Sequence, residues 1–527
     1  MCSKGLLAFA LLALFAVSSR PQDKQDKRTA QSVVADVAKA TGAASVNSIQ
    51  YSGTGFDGYN YSCRPGGPWS RFKLTSYFRV LDYEKGASQE VAKWTQYDKV
   101  CGAGFQPIMG SLTDMASLNG DFAWSYGGQG PDNPPAEGSP TPGAVEGLKF
   151  EMALTPYGWV KAALAANANP TTETTTIEGQ QMTVVSFLWN GKRKVSGYVD
   201  ARNLLARIEY WNNNDMLGDV DLVTNYSGYK DFAGVKVPMK IVRMECSGKD
   251  FPVKFSAGEG LPGCQPRLDL TVADVQINMP THIDVPESIR QAGQAGAEGR
   301  GLQTQKLADG VWVIMAGGTQ SMAVEFHDYS VVIEASGNEA RSLAVIGETK
   351  RLIPNKPVKY VVNTHHHLDH SGGLRTFVAD GSTIITHEMN KPFDEQIFQY
   401  PHTIKPDKLA LNPKPAVFLT VKDTYVLSDG SRSMQFDRQQ GQEHDDGLLL
   451  VYLPKEKILF PSDGFMLNHF HPGVRTTVGM GQNLLDNIQR LKMDVQQVVP
   501  VHTFPGVYAV SFADAKKRIL ERNGDGN

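Results

Sequence analysis

Between His365 and His370 the chain places four imidazoles and a carboxylate within six residues, in the segment VVNTHHHLDHSGG that opens at Val361. A plain solvated turn has no need of that composition. Val358 to Val362 reads as a buried strand, so the polar run emerges at a strand end. Imidazole nitrogen and carboxylate oxygen suit a borderline cation such as Zn2+. His365 and His367, two residues apart in an extended turn, can aim at one ion, while Asp369 and His370 diverge toward a second. The fold must therefore hold this loop rigidly at the end of a sheet.

The 527 residues, 41% of them hydrophobic, suffice for two or three domains with sizeable cores. With 52 basic against 55 acidic residues the net charge is −3, which lacks the basic footprint of a nucleic-acid binder. Beyond residue 20 no apolar run is long enough to span a bilayer. Two scarce residue types are unevenly spread: four of the five cysteines lie between Cys63 and Cys264, and eleven of the twelve histidines lie from His327 onward. The halves differ chemically.

Residues 1–18 read as a signal peptide. One lysine precedes twelve apolar residues, Leu6 to Val17, and Ala16-Val17-Ser18 supplies the small residues a signal peptidase needs. Cleavage near Ser19 would leave a secreted or periplasmic protein with no transmembrane anchor. In that oxidising setting Cys63, Cys101, Cys246 and Cys264 can form disulfides. Three pairings are open, and nearest-neighbour pairing, Cys63 with Cys101 and Cys246 with Cys264, is the preferred one.

The organisation expected is α/β overall, with a β-rich N-terminal domain over 29–286, a linker over 287–302 and a catalytic domain over 303–522. Thr29 to Lys39 has helical spacing. Met182 to Trp189, Lys194 to Val199, Leu205 to Trp211, Val220 to Tyr226, Lys236 to Met244 and Leu268 to Ile277 read as strands of an antiparallel sheet. Tyr126 to Gly143 is a Gly/Pro-rich loop. Ser196 to Ile208 with Tyr226 to Pro238 resembles the half-barrel carrier domains of bacterial lipoprotein-sorting proteins. Past the Gly/Ala/Gln-rich linker, strands and helices alternate, which calls for sheet layers covered by helices.

The motif HxHxDH, after a buried strand and before SGG, resembles the signature of the metallo-β-lactamase fold superfamily. Downstream, His444 stands in GQEHDDG, Asp463 in ILFPSDG and His502 in VVPVHTFPG, each where that family places a ligand. The resemblance implies an αββα sandwich over Gln303 to Arg522. By the same carry-over, His365, His367 and His444 would hold one zinc, Asp369, His370 and His502 a second, and Asp463 would bridge them. It further implies a hydrolase with two Zn2+ per chain, iron or manganese being alternatives, in which a metal-bridging hydroxide cleaves an ester, lactone, thioester, phosphodiester or related bond of a small-molecule substrate. Asp369 would also orient the attacking water and accept its proton. The chain departs from many members at Pro461-Ser462, where they carry glycine before the aspartate.

Ligand identity narrows the family. Asp463 replaces the thiolate of cysteine-ligand enzymes, and His367 replaces the glutamate of flavodiiron proteins. Two rivals stay open: an iron-dependent oxygenase on the same fold, and a ligand-binding protein with a vestigial metal site. His387, His469 and His471 are candidates to line the pocket or support the ligands, whereas His366 is expected to face away from the metals.

Overall fold

A computed structural model describes residues 28–59, 64–67, 69–97, 111–128, 138–165, 167–247, 264–294, 301–316, 319–467 and 478–524. The expected signal peptide over 1–18, Cys63, Cys101, His469 and His471 lie outside them.

The first helix, Ala30–Thr41, begins where the Thr29 hydroxyl accepts from the Ser32 amide and ends at Gly42, whose φ of 72° is left-handed. Its apolar positions Val33, Val34 and Val37 fall on one face and are buried, together with Trp159 and Phe187, against a large antiparallel sheet. Among the described residues that sheet has thirteen strands. Sequence neighbours pair along it, save that Cys264–Ile277 lies between Ser48–Tyr59 and Lys240–Ser247 and that Gly218–Ser227 pairs with Lys240–Ser247 across a separate two-stranded hairpin. The late strand joins the two halves of the domain into one surface. Helices Val145–Ala153 and Pro156–Ala163 pack over the same face as the first helix.

Two expectations change in detail. The strand read over Lys236 to Met244 is split into Val235–Val237 and Lys240–Ser247, with Pro238 at the break because proline has no N–H to give a ladder. The expected linker holds a helix, Glu287–Gln294, whose Ile289 is buried beside Trp124 and Val80.

Cys246 and Cys264 form a disulfide between directly paired residues of adjacent strands, closing a span of 18 residues. A bridge of that span restricts the unfolded chain, so the Cys246→Ser, Cys264→Ser double variant should lose about 3 kcal/mol of stability. Urea unfolding followed by far-UV circular dichroism measures it, and an unchanged midpoint would remove the bridge from the stability account.

The C-terminal domain is four-layered. Among the described residues, a seven-stranded sheet from Gln303–Ala308 to Phe418–Val421 faces a six-stranded sheet from Thr424–Ser428 to Val510–Ser511. Val313, Met322, Val331, Phe436, Val451 and Phe460 fill the space between them. Helices Glu339–Leu352 and Leu374–Asp380 cover the outside of the first sheet through Val345, Ile346, Leu374 and Phe377. Val478–Arg490 and Phe512–Gly524 cover the second through Leu484, Ile488 and Ile519. Among the described residues no helix is long and apolar enough to cross a membrane.

The N-terminal domain reaches the C-terminal one through the turn between Leu205–Asn214 and Gly218–Ser227. Met216, Leu217 and Val220 pack on Ile397, Leu368, Phe393 and Tyr400. Gly218 has φ 72°, and a Cβ there would lie 2.3 Å from the Pro401 carbonyl oxygen, so only glycine permits this approach. Buried Asp219 accepts from the Thr403 amide at 2.8 Å, the Thr403 hydroxyl at 2.5 Å and the Ile404 amide at 3.1 Å. Deleting the carboxylate strands those donors, so Asp219→Ala should cost about 1–3 kcal/mol and expose 397–404 to proteolysis. Limited proteolysis with mass mapping would show cleavage there, and an unaltered digest would mean the contact does not hold the loop.

Candidate metal centre

The histidine loop follows the strand Val358–Val362, in the first sheet, and is tied to both sheets. The Asn363 amide donates to Ile385 and the Leu449 amide to Thr364, each at 2.9 Å. Asn363 also donates through its side chain to the His365 carbonyl at 2.7 Å and to Ser371 at 3.0 Å, closing the turn on itself. Glycine follows for a steric reason: a Cβ on Gly372 would lie 1.9 Å from the Gly337 carbonyl oxygen. From the second sheet come Asp463, in the turn after Ile458–Phe460, and His502, after Gln497–Val498. All the predicted ligands therefore meet at one end of the sandwich.

Two donor sets result. His365 Nε2 lies 3.0 Å from His367 Nδ1 and 3.1 Å from His444 Nε2, and His444 Nε2 lies 3.1 Å from Asp463 Oδ2. His370 Nε2 lies 3.3 Å from His502 Nε2, 3.4 Å from Asp369 Oδ2 and 3.2 Å from Asp463 Oδ1. Asp463 thus turns one oxygen to each set. Donors bonded at 2.0–2.1 Å around a tetrahedral ion stand about 3.3 Å apart, which matches these separations. Asp369 Oδ1 and Asp463 Oδ1 are buried without a hydrogen-bond partner. Such atoms are costly unless a cation or proton satisfies them, so the residues present fit a pair of dications.

The two sets differ in charge. Burial, and then the neighbouring imidazoles, push His365 and His367 well below the ordinary histidine range, leaving neutral lone-pair donors as a metal requires. At His370 burial works the same way, but the carboxylates of Asp463, Asp369 and Glu334 outweigh it and raise the ring well above that range. The second set is the more acidic one.

Supporting contacts fix the rings. His365 Nδ1 lies 3.1 Å from the Thr364 hydroxyl and 3.3 Å from that of Ser462. Ser462 has φ 52°, the left-handed conformation usual for glycine, so the departure at Pro461-Ser462 keeps the backbone and adds a hydroxyl to the site. His370 Nδ1 is 2.8 Å from Glu334 Oε2, leaving Nε2 for the metal side.

Residues 314–466 match the family model described as the metallo-beta-lactamase superfamily. The C-terminal domain has the metallo-β-lactamase fold. A similar curated protein is the 2,4-dinitroanisole O-demethylase subunit alpha of Nocardioides sp. (strain JS1661), 22% identical over 168 residues, which make up 31% of this chain and 46% of that one. The chain thus spans about half the length of that relative. Among solved structures, a metallo-beta-lactamase from Pontibacter korlensis is 19% identical, covering 42% of this chain and 97% of its own, with a TM-score of 0.32. A metallo beta lactamase from Hirschia baltica is 17% identical, covering 42% and 98%, also at 0.32.

Within the metallo-β-lactamase-fold domain, the described site contains residues that sequence reasoning did not assign. Glu334 is fully buried at a φ of 73°, and its signal was a carboxylate ending the apolar run SVVI. His366 stands outside both donor sets and is buried in an ion pair with Asp445, which in turn accepts from the Gly447 amide at 2.6 Å. His366, His367 and Asp445 also form a cluster of metal-competent groups. His387, expected near the pocket, is buried beside Gly447 with Nε2 2.9 Å from the Lys422 carbonyl oxygen, and so braces the His444 loop from behind.

Proposed function

We propose that this chain is an exported dizinc hydrolase that cleaves an ester, lactone, thioester, phosphodiester or related bond of a small-molecule substrate. The observation that carries the reading is Asp463, whose two oxygens serve separate donor sets. His365, His367 and His444 would hold one ion, and Asp369, His370 and His502 the other. Two bound dications would supply Lewis acidity and lower the pKa of bound water toward neutrality. Asp369 places Oδ2 3.2 Å from His502 Nε2 and keeps Oδ1 uncommitted, so Oδ1 is the atom that would orient that water and take its proton. Glu334 holds the His370 tautomer, and Thr364 with Ser462 holds the His365 ring, so the donors need little rearrangement. The Cys246–Cys264 disulfide and the apolar segment Leu6 to Val17 support export.

Zinc-loaded protein should turn over at least one member of a panel of ester, lactone, thioester, phosphodiester and β-lactam substrates, and should lose that turnover on chelation. Undiminished turnover after metal removal would refute the mechanism. The second reading is an iron-dependent oxygenase on the same fold. It would require iron in the purified protein and consumption of dioxygen. A complete donor set on both sides of Asp463 favours hydrolysis over a vestigial site.

A further inference from the structure

Behind the histidine loop runs a chain of wholly buried side chains, Asn363, Thr386, Asn390 and Asp394. Thr386 lies in the strand Thr383–His387, and Asn390 and Asp394 stand on the helix that follows it, Asn390–Ile397. The Thr386 hydroxyl donates to Asn363 Oδ1 at 3.0 Å, and Asn390 Nδ2 donates to Thr386 Oγ1 at 2.8 Å.

The loop end sets the direction of every proton in this chain. The His365 carbonyl can only accept, so the Asn363 amide turns Nδ2 toward it, at 2.7 Å, and Oδ1 toward Thr386. Thr386 gives its single hydroxyl proton to that Oδ1 and therefore accepts from Asn390, whose Nδ2 points back at the strand. Asn390 Oδ1 is left as the open end. It has no hydrogen-bond partner, and neither has Asp394 Oδ1 or Oδ2. Residues four apart on a helix are neighbours on one face, so the chain ends in an amide oxygen beside a carboxyl group.

Ionised, Asp394 would leave three buried acceptors with no donor among the described residues, which a protein interior does not compensate. No cation answers it. Burial, and then the charge of exposed Glu395, which pairs with Lys391 at 3.7 Å, push the Asp394 carboxyl well above the ordinary carboxylate range. On the elements packed against this helix, His387 is engaged with the Lys422 carbonyl at 2.9 Å, and Asp219 with Thr403 and Ile404.

We propose that Asp394 stands as an uncharged acid donating its O–H to Asn390 Oδ1, and that it is a positioning residue for the histidine loop. Its proton satisfies the open end of the chain. Asn390, Thr386 and Asn363 are then each held in one orientation, and Asn363 grips the His365 carbonyl and, at 3.0 Å, the Ser371 hydroxyl. The chain ends on the backbone of His365, so it holds the loop with or without a bound ion.

Infrared difference spectroscopy of the full chain at neutral pH, parent minus Asp394→Asn, should show one carboxylic-acid carbonyl band. Asparagine supplies a permanent N–H donor of the same shape, so this variant keeps the chain. The folded parent retains a proton that its unfolded chain releases above about pH 4, so its stability falls as pH rises. Its unfolding equilibrium constant should therefore grow relative to that of Asp394→Asn by about tenfold per pH unit between roughly pH 5 and 7. Hydrogen exchange read by mass spectrometry should show residues 363–371 opening at least tenfold faster in Asp394→Leu, which has no donor, and at the parent's rate in Asp394→Asn. Absence of the carboxylic-acid band, a pH-independent ratio of the two unfolding constants, or parental exchange in Asp394→Leu would overturn the proposal.

Discussion

Asp463→Ala is expected to reduce turnover by roughly a thousandfold or more and to leave the protein unable to retain two metal ions. The side chain is buried, with one oxygen 3.1 Å from His444 Nε2 and the other 3.2 Å from His370 Nε2. Among the described residues, Asp463 is the carboxylate with an oxygen near each set. Losing several kcal/mol of charge stabilisation at a metal-assisted transition state corresponds to that factor, at 1.36 kcal/mol per tenfold. Metal content and turnover should fall together. Turnover within tenfold of the parent would mean that the bridging position is not part of the chemistry.

Glu334→Gln comes next in size, at about ten- to a hundredfold in metal affinity or activity, the usual effect of losing the partner that orients a ligating histidine. The change keeps the volume and one acceptor oxygen while removing the charge that faces His370 Nδ1 at 2.8 Å. The backbone here is held by the Glu334 amide donating to Val362 and by the Ser321 hydroxyl donating to the Glu334 carbonyl, both at 2.9 Å. Those bonds sustain a φ of 73° that a non-glycine residue rarely adopts. Competition with a chelator, followed by colour change of the chelator, measures the affinity. Equal metal retention by parent and variant would reduce Glu334 to a core residue.

The candidate ligands were legible because each stands next to a buried apolar strand that places it at the same end of the sandwich. His365, His367, Asp369 and His370 are also close enough in sequence for spacing to carry the argument. Glu334 was not legible, since its partner lies 36 residues away and no local pattern joins them. His366 was read only as facing away from the metals, because its partner Asp445 is reached through the fold and not through the loop. In the N-terminal domain, strands rich in alternating apolar residues, such as Met182 to Trp189, could be read. Ser48–Tyr59 and Ser70–Asp82 escaped, with glycine, serine and lysine diluting the alternation that sheet pairing then imposes. The docking of Met216 and Leu217 beside Leu368, which lies between His367 and Asp369, is a tertiary contact that no periodicity announces.

The central claim is that two dications sit on either side of Asp463. Elemental analysis of the full chain, expressed with residues 1–18 in place and purified without added metal, tests it most directly. The account predicts two zinc ions per chain, falling to one or none in Asp463→Ala. A single iron per chain, or a metal content unaffected by that substitution, would contradict it.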